Sequence, residues 1–121
     1  MLVFIIAALT SVACTKSEEV NLDLRGDWGV VETALFVNDS LTSSLQLNEI
    51  NTHYSFSQDM NEVEIINDGI SERYDCVYNA QDLELIIGMN MTYEIEWITP
   101  DAVYFHRHYG VNHSRYKLLL E

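Results

Sequence analysis

Apolar side chains return at every second position through most of this chain, and turn-forming residues interrupt the pattern at intervals of roughly 8–12 residues. A strand points successive side chains to opposite faces, whereas a helix repeats every 3.6 residues. No sustained helical stripe runs beyond Gly26. The chain is therefore restricted to strands with one apolar and one wet face. Short antiparallel strands at this spacing build a sandwich or a barrel, and barrel closure removes the sticky edges of an all-β chain.

The alternation also places the strands. Residues 26–37, GDWGVVETALFV, form the first, and Asn38-Asp39-Ser40 turns. Residues 41–50, LTSSLQLNEI, fit either a strand or a short helix. Tyr54 and Phe56 share a face, Glu62 to Ile66 alternate acid with aliphatic, and Asn67-Asp68-Gly69 is a hairpin signal. Tyr74, Cys76 and Tyr78 share the next face, followed by Leu83, Leu85 and Ile87. Tyr93, Ile95 and Trp97 stand opposite Glu94 and Glu96. Thr99-Pro100-Asp101 turns, and residues 102–108 and 113–120 make a last hairpin closed around residues 109–112. With Trp28, Val30, Val63, Ile65, Val103, Phe105, Tyr116, Leu118 and Leu120, these apolar positions are the expected interior.

At 121 residues the chain suits one domain, and its 48% hydrophobic content can supply a core. Six basic residues face nineteen acidic ones, a formal charge of −13. That balance repels a phosphate backbone and excludes nucleic acid as a partner. No Gly-rich phosphate loop, nucleophile elbow or zinc-helix motif occurs, so neither an enzyme nor a cofactor is expected. Glu62 and Glu64, like Glu94 and Glu96, are two residues apart. They fall on wet strand faces, where solvation explains them without acid–base catalysis.

The amino-terminal segment is of another kind. Residues 1–13, MLVFIIAALTSVA, carry no charged side chain. The run from Leu2 to Leu9 is too short for a membrane span and has the length of a signal-peptide core. Small residues and Cys14 follow. Leu9-Thr10-Ser11-Val12-Ala13-Cys14 resembles the lipobox of bacterial lipoproteins. The resemblance implies a signal peptide over 1–13 and acylation of Cys14, which would hold the protein in a lipid bilayer. Residues 14–23 then form the lipidated cysteine and a polar tether. Lys16-Ser17-Glu18-Glu19 resembles the surface-export signal of Bacteroidetes lipoproteins, which implies an outer-membrane, surface-exposed location. A Cys14–Cys76 disulfide is the other use of Cys14. With Cys14 acylated, Cys76 is a small buried hydrophobe.

Leu24 and Gly26-Asp27-Trp28 at the head of the first strand resemble the Gly-x-Trp signature of lipocalins, in particular the lipocalin-like domains of small bacterial lipoproteins. The later rhythm, a Tyr-x-Phe strand, then LELIIG, then YEIEWITPDAVYF, is similar to those domains over residues 24–120. The resemblance implies an antiparallel up-and-down barrel of about eight strands over residues 24–121. It gives Gly26 and Trp28 the closing of one end, with Arg107 and Arg115 both open as the cation on Trp28. It also implies a binding role for a small apolar ligand, with Tyr54, Tyr74, Tyr78, Tyr93, Trp97 and Phe105 as the candidate lining. An eight-stranded barrel holds one small ligand or is filled by its own side chains. With a filled interior, the function passes to the surface, as a protein-interaction or inhibitor lipoprotein with acidic recognition loops.

One stretch has unusual chemistry. In HRHYGVNHSR, His106, His108 and His113 fall on one side of the last hairpin, on its outer face. Two histidines at i and i+2 and one across the ladder are a spacing for facial zinc or copper binding. No Cys or acidic ligand is expected beside it, and a solvated polar face is the reading preferred here. Residues 102–121 carry three basic side chains against Glu121 alone, a basic island on an acidic body. Its contacts are an anionic headgroup or glycan, or strand neighbours such as Glu94 and Glu96.

Overall fold

The structure, a computed structural model, describes residues 22–121. The expected signal segment 1–13, Cys14 and the expected tether up to residue 21 lie outside the described residues. Nine strands follow: β1 (Gly26–Val37), β2 (Ser40–Gln46), β3 (Thr52–Phe56), β4 (Glu62–Asn67), β5 (Ile70–Asn79), β6 (Glu84–Ile87), β7 (Met91–Thr99), β8 (Ala102–Tyr109) and β9 (Asn112–Leu120). Antiparallel pairing runs from β1 to β3 and then in chain order to β9, which pairs back onto β1. The result is a closed, eight-stranded up-and-down barrel of the lipocalin-like kind, with β2 as a ninth strand outside the circuit.

β2 and β3 share one edge of β1. Gly26 to Gly29 pair with β3, and Glu32 to Val37 pair with β2. The stretch that fitted strand or helix is thus a strand and then a loop, 47–51, which swings out before the wall resumes. Asn38 and Asp39, with φ of 52° and 66°, both take the left-handed conformation of a type I′ turn. That turn matches strand twist and folds β2 back along β1. All seven β2 residues are exposed.

β1 pairs with β9 along nearly its whole length, with one irregularity. Val30 faces Leu118 and Glu32 faces Lys117, so Val31 is an extra residue. The bulge flips the phase of β1. Trp28 and Val30 point inward before it, and Thr33 and Leu35 after it, opposite Tyr116 and Ser114. β1, β2, β8 and β9 rise beyond the other strands at one end, where Asn38 N–H donates to the Val111 carbonyl at 2.9 Å. The barrel therefore has a tall wall and a low wall.

The opposite end is plugged. Trp28 is fully buried, and its Nε1–H donates to the Leu24 carbonyl at 2.9 Å. Leu24, at 1% exposure, already belongs to the domain. Gly26 starts β1 with φ 112°, a conformation that residues with a Cβ rarely adopt. Trp97 meets Trp28 edge-on at 5.9 Å. The candidate cations are elsewhere: Arg107 lies over Tyr93 and Tyr109, and Arg115 over Phe36 and Tyr104. Two indoles fill the space that the resemblance gave to an indole and a cation.

Three local expectations are corrected. Leu83 has φ 54° and is 38% exposed, because β6 begins only at Glu84 and Leu83 ends the preceding turn. Leu120, at 41%, is paired with Trp28 on the last rung of β9, where the end of the barrel leaves it exposed rather than inside. The last hairpin is tighter than residues 109–112: Tyr109 pairs with Asn112, and Gly110 and Val111 alone turn. Gly110 takes φ 65°, as the first central position of a type II′ turn requires.

Candidate functional site

The interior divides by height. In the lower half, Phe105 is fully buried and contacts Tyr54, Phe56 and Tyr93 with ring centroids 5.4, 6.5 and 5.5 Å away. Val63, Leu85, Ile87, Ile95, Val103 and Leu118 complete a dense core with Trp28 and Cys76. Cys76 is a free thiol at 4% exposure. Burial, and then the carboxylates of Asp75, Asp59 and Glu62, push its pKa up.

Above this core lies a cavity of about 330 Å³. Val30, Leu47, Ile65 and Met91 give it apolar walls; Tyr54, Tyr74, Tyr93 and Tyr116 bring phenols; Thr33, Thr52 and Asn67 stand among them. Its size is at the lower end of small-molecule sites. A shallower groove of about 620 Å³ shares Thr33 and Tyr116 with it and continues along Leu35, Ser43 and Leu45. This groove is the inner face of the tall wall.

Three of the six expected lining residues, Tyr54, Tyr74 and Tyr93, meet at this cavity. Tyr78, Trp97 and Phe105 share their inward parity but sit lower. Trp97 donates its Nε1–H to the Tyr78 hydroxyl at 3.2 Å, and Phe105 forms the floor core. Thr33, Leu47, Thr52, Asn67 and Met91 were not singled out by the alternation. Thr33 was hidden by the bulge at Val31, and Leu47 by the split strand. The polar residues are at rim positions, where alternation carries no apolar signal.

The phenols of Tyr54, Tyr74 and Tyr116 remain protonated. Burial pushes the Tyr54 hydroxyl well above the ordinary phenol range, with Tyr93 and Tyr116 adding to it and Arg107 pulling the other way. Burial also raises Tyr116, with Tyr109 next in effect. Tyr74 is raised by its hydrogen bond to Glu72 Oε1, 2.8 Å away. At neutral pH these hydroxyls are therefore donors.

The histidines lie together on the outer wall, as their parity requires. His108 pairs with His113 and His106 with Arg115 across the β8–β9 ladder. The absence of acids from the stretch misled, because β7 supplies them from the other side: Glu94 faces His106 in the ladder. His106 donates Nε2–H to Glu96 Oε1 at 2.7 Å, which leaves Nδ1 to accept Nε2–H of His113, also at 2.7 Å. His108 lies 3.4 Å from Glu94 and stacks on His113 at 4.2 Å, and Phe36 stacks on His113 at 4.9 Å. Burial, followed by His108, His106 and Arg115, lowers the His113 pKa, while Glu94 opposes. Both ring nitrogens of His106 are engaged, and among the described residues no group of three His, Cys, Asp or Glu side chains is placed to hold a metal ion. Arg115 rests on Tyr104 at 4.4 Å, with Glu32 3.9 Å away. The basic hairpin thus meets acids on both flanking strands.

The arrangement is a barrel plugged at one end by indoles, filled to mid-height and open above. No protein-family model, curated protein or solved structure matches the chain.

Proposed function

We propose that the protein is a lipocalin-like binding module of the bacterial envelope, anchored through acylated Cys14, that holds a small apolar ligand in the upper barrel. The observation that carries the binding role is the 330 Å³ cavity, where apolar walls and protonated phenols converge above a packed floor. The groups around it orient a guest by hydrogen bonding and contact; we read it as a binder and not as a catalyst. The lipobox-like run before Cys14 supports the location.

A second reading, a lipoprotein that recognises another protein, is favoured by β2. This strand has no charged side chain, is exposed along its length, and pairs through one edge only. Such an edge accepts an added strand.

Native mass spectrometry of the full-length protein, mildly extracted from its host, tests the binding role. The expected spectrum contains a non-covalent adduct of a few hundred daltons, lost on activation. A clean apo mass, or a stoichiometric protein partner instead of a small adduct, overturns the first reading. The intact mass also reports on the anchor: an unmodified chain that retains residues 1–13 refutes it.

A further inference from the structure

We infer that the ligand is an anionic amphiphile, whose apolar body lies in the upper cavity and whose carboxylate meets the guanidinium of Arg107. The inference rests on the cavity's being a binding site and adds the charge of its guest.

Arg107 points into the barrel. It lies two residues beyond Phe105 on β8, on the same face, and its cross-strand partner is Ser114, which is buried at 8% exposure. Its guanidinium carbon sits 5.9 Å from the centre of the Tyr93 ring and 5.7 Å from that of Tyr109. Tyr93 lines the cavity, and the Arg107 charge reaches Tyr54 and Tyr116, which line it too.

Two of the arginines of the domain are ion-paired: Arg25 is clamped by the Asp23 carboxylate, and Arg115 has Glu32 at 3.9 Å. Arg73 is not ion-paired, but it stands on the outer wall opposite Glu64, whereas Arg107 is on the inner face. Among the described residues, Arg107 has no carboxylate within ion-pair distance. That is notable in a chain with nineteen acidic residues and six basic ones. Strand parity explains it in part: the acids of β7 point outward, and Glu72, the acid of β5 that shares the inward side with Tyr74, is engaged by the Tyr74 hydroxyl and is not ion-paired with Arg107. Aromatic faces compensate a half-buried cation in part. An anion completes the compensation with a charge-assisted hydrogen bond.

The surrounding donors suit the same guest. Neutral phenols on Tyr54 and Tyr116 can donate to an oxyanion. Below them, Val30, Leu47, Ile65 and Met91 take an apolar chain or ring. The overall negative charge does not forbid entry, because strand acids such as Glu62, Glu64, Glu94 and Glu96 point outward and charges beyond roughly 10 Å are screened at physiological ionic strength. The cavity volume fits a short body, and the adjoining groove past Thr33 and Tyr116 takes anything longer.

Three probes of equal length separate the possibilities: decanoate, 1-decanol and decyltrimethylammonium, titrated against the delipidated protein by calorimetry and tryptophan fluorescence. The expected order is decanoate tightest, by about tenfold or more over decanol, with the cation weakest. Added salt should shrink the preference. Arg107→Gln should bind acid and alcohol alike, and Arg107→Lys should retain part of the preference, both with wild-type near-ultraviolet circular dichroism. Equal binding of decanoate and decanol to the wild type overturns the anionic guest but leaves the cavity a binder. A preference that survives in Arg107→Gln overturns the assignment to Arg107. Binding of none of the three overturns the cavity as a binding site, and the inference falls with it.

Discussion

At the scale of single residues, the outer wall carries an acid sensitivity. His113 is stacked between Phe36 and His108, and burial holds its pKa below the ordinary 6.5. Around it stand His106 and Tyr104 on β8, Arg115 on β9, Glu94 and Glu96 on β7 and Glu32 on β1. A histidine whose folded pKa is depressed takes up its proton more readily when unfolded, so its contribution is present above about pH 6.5 and lost as the pH falls. The urea midpoint should therefore drop between pH 7.5 and 5.5, and His113→Gln should flatten that drop. An unchanged slope in the variant places the acid sensitivity elsewhere. The residues also show how far parity reaches. It gave the correct face to Tyr54, Tyr74, Tyr93, Tyr78, Trp97 and Phe105, but alternation along a strand says nothing of height. Three therefore line the cavity and three fill the barrel beneath it.

At the scale of elements, the strands were legible where alternation was clean and turns carried Gly, Asn or Asp. β1, β4, β8 and β9 fall within one residue of expectation. Residues 41–50 were not legible: Leu41 and Leu45 are four apart, as on a helix, Leu45 and Leu47 are two apart, as on a strand, and only pairing with β1 decides. The Val31 bulge was equally hidden, because an inserted residue changes the phase without changing composition. β2 also separates two kinds of leucine. Leu45 on β2 is 59% exposed, whereas Leu85 on β6 is fully buried. Leu45→Lys should change stability by less than about 0.5 kcal/mol, the usual range for surface changes. Leu85→Ala should cost about 2–5 kcal/mol through lost burial and a cavity. Denaturant titration measures both, and a comparable cost at Leu45 refutes β2 as a strand outside the core.

At the scale of the whole molecule, the barrel is held closed by its first and last strands, with Trp28 paired to Leu120 and Val37 to Asn112. No smaller unit of the circuit buries the interior by itself. Cys76 reports on this unity, because its thiol is buried and held in the protonated, poorly nucleophilic form. In a Cys14→Ser variant, alkylation of Cys76 by iodoacetamide should be negligible under native conditions and should rise with urea along the curve that tryptophan fluorescence traces. Alkylation well below that midpoint refutes closure as a single cooperative event.

The plugged end has a consequence for how the vessel stands. The chain enters the barrel beside Trp28, where Arg25 is fixed to Asp23 and donates to the Gln58 carbonyl at 3.5 Å. The opening lies at the other end of the strands, under the lip formed by β1, β2, β8 and β9. Under the proposed anchor at Cys14, the attachment joins the barrel on the side of its stopper and the mouth opens on the opposite side. Cargo would then arrive and leave at the end remote from the attachment.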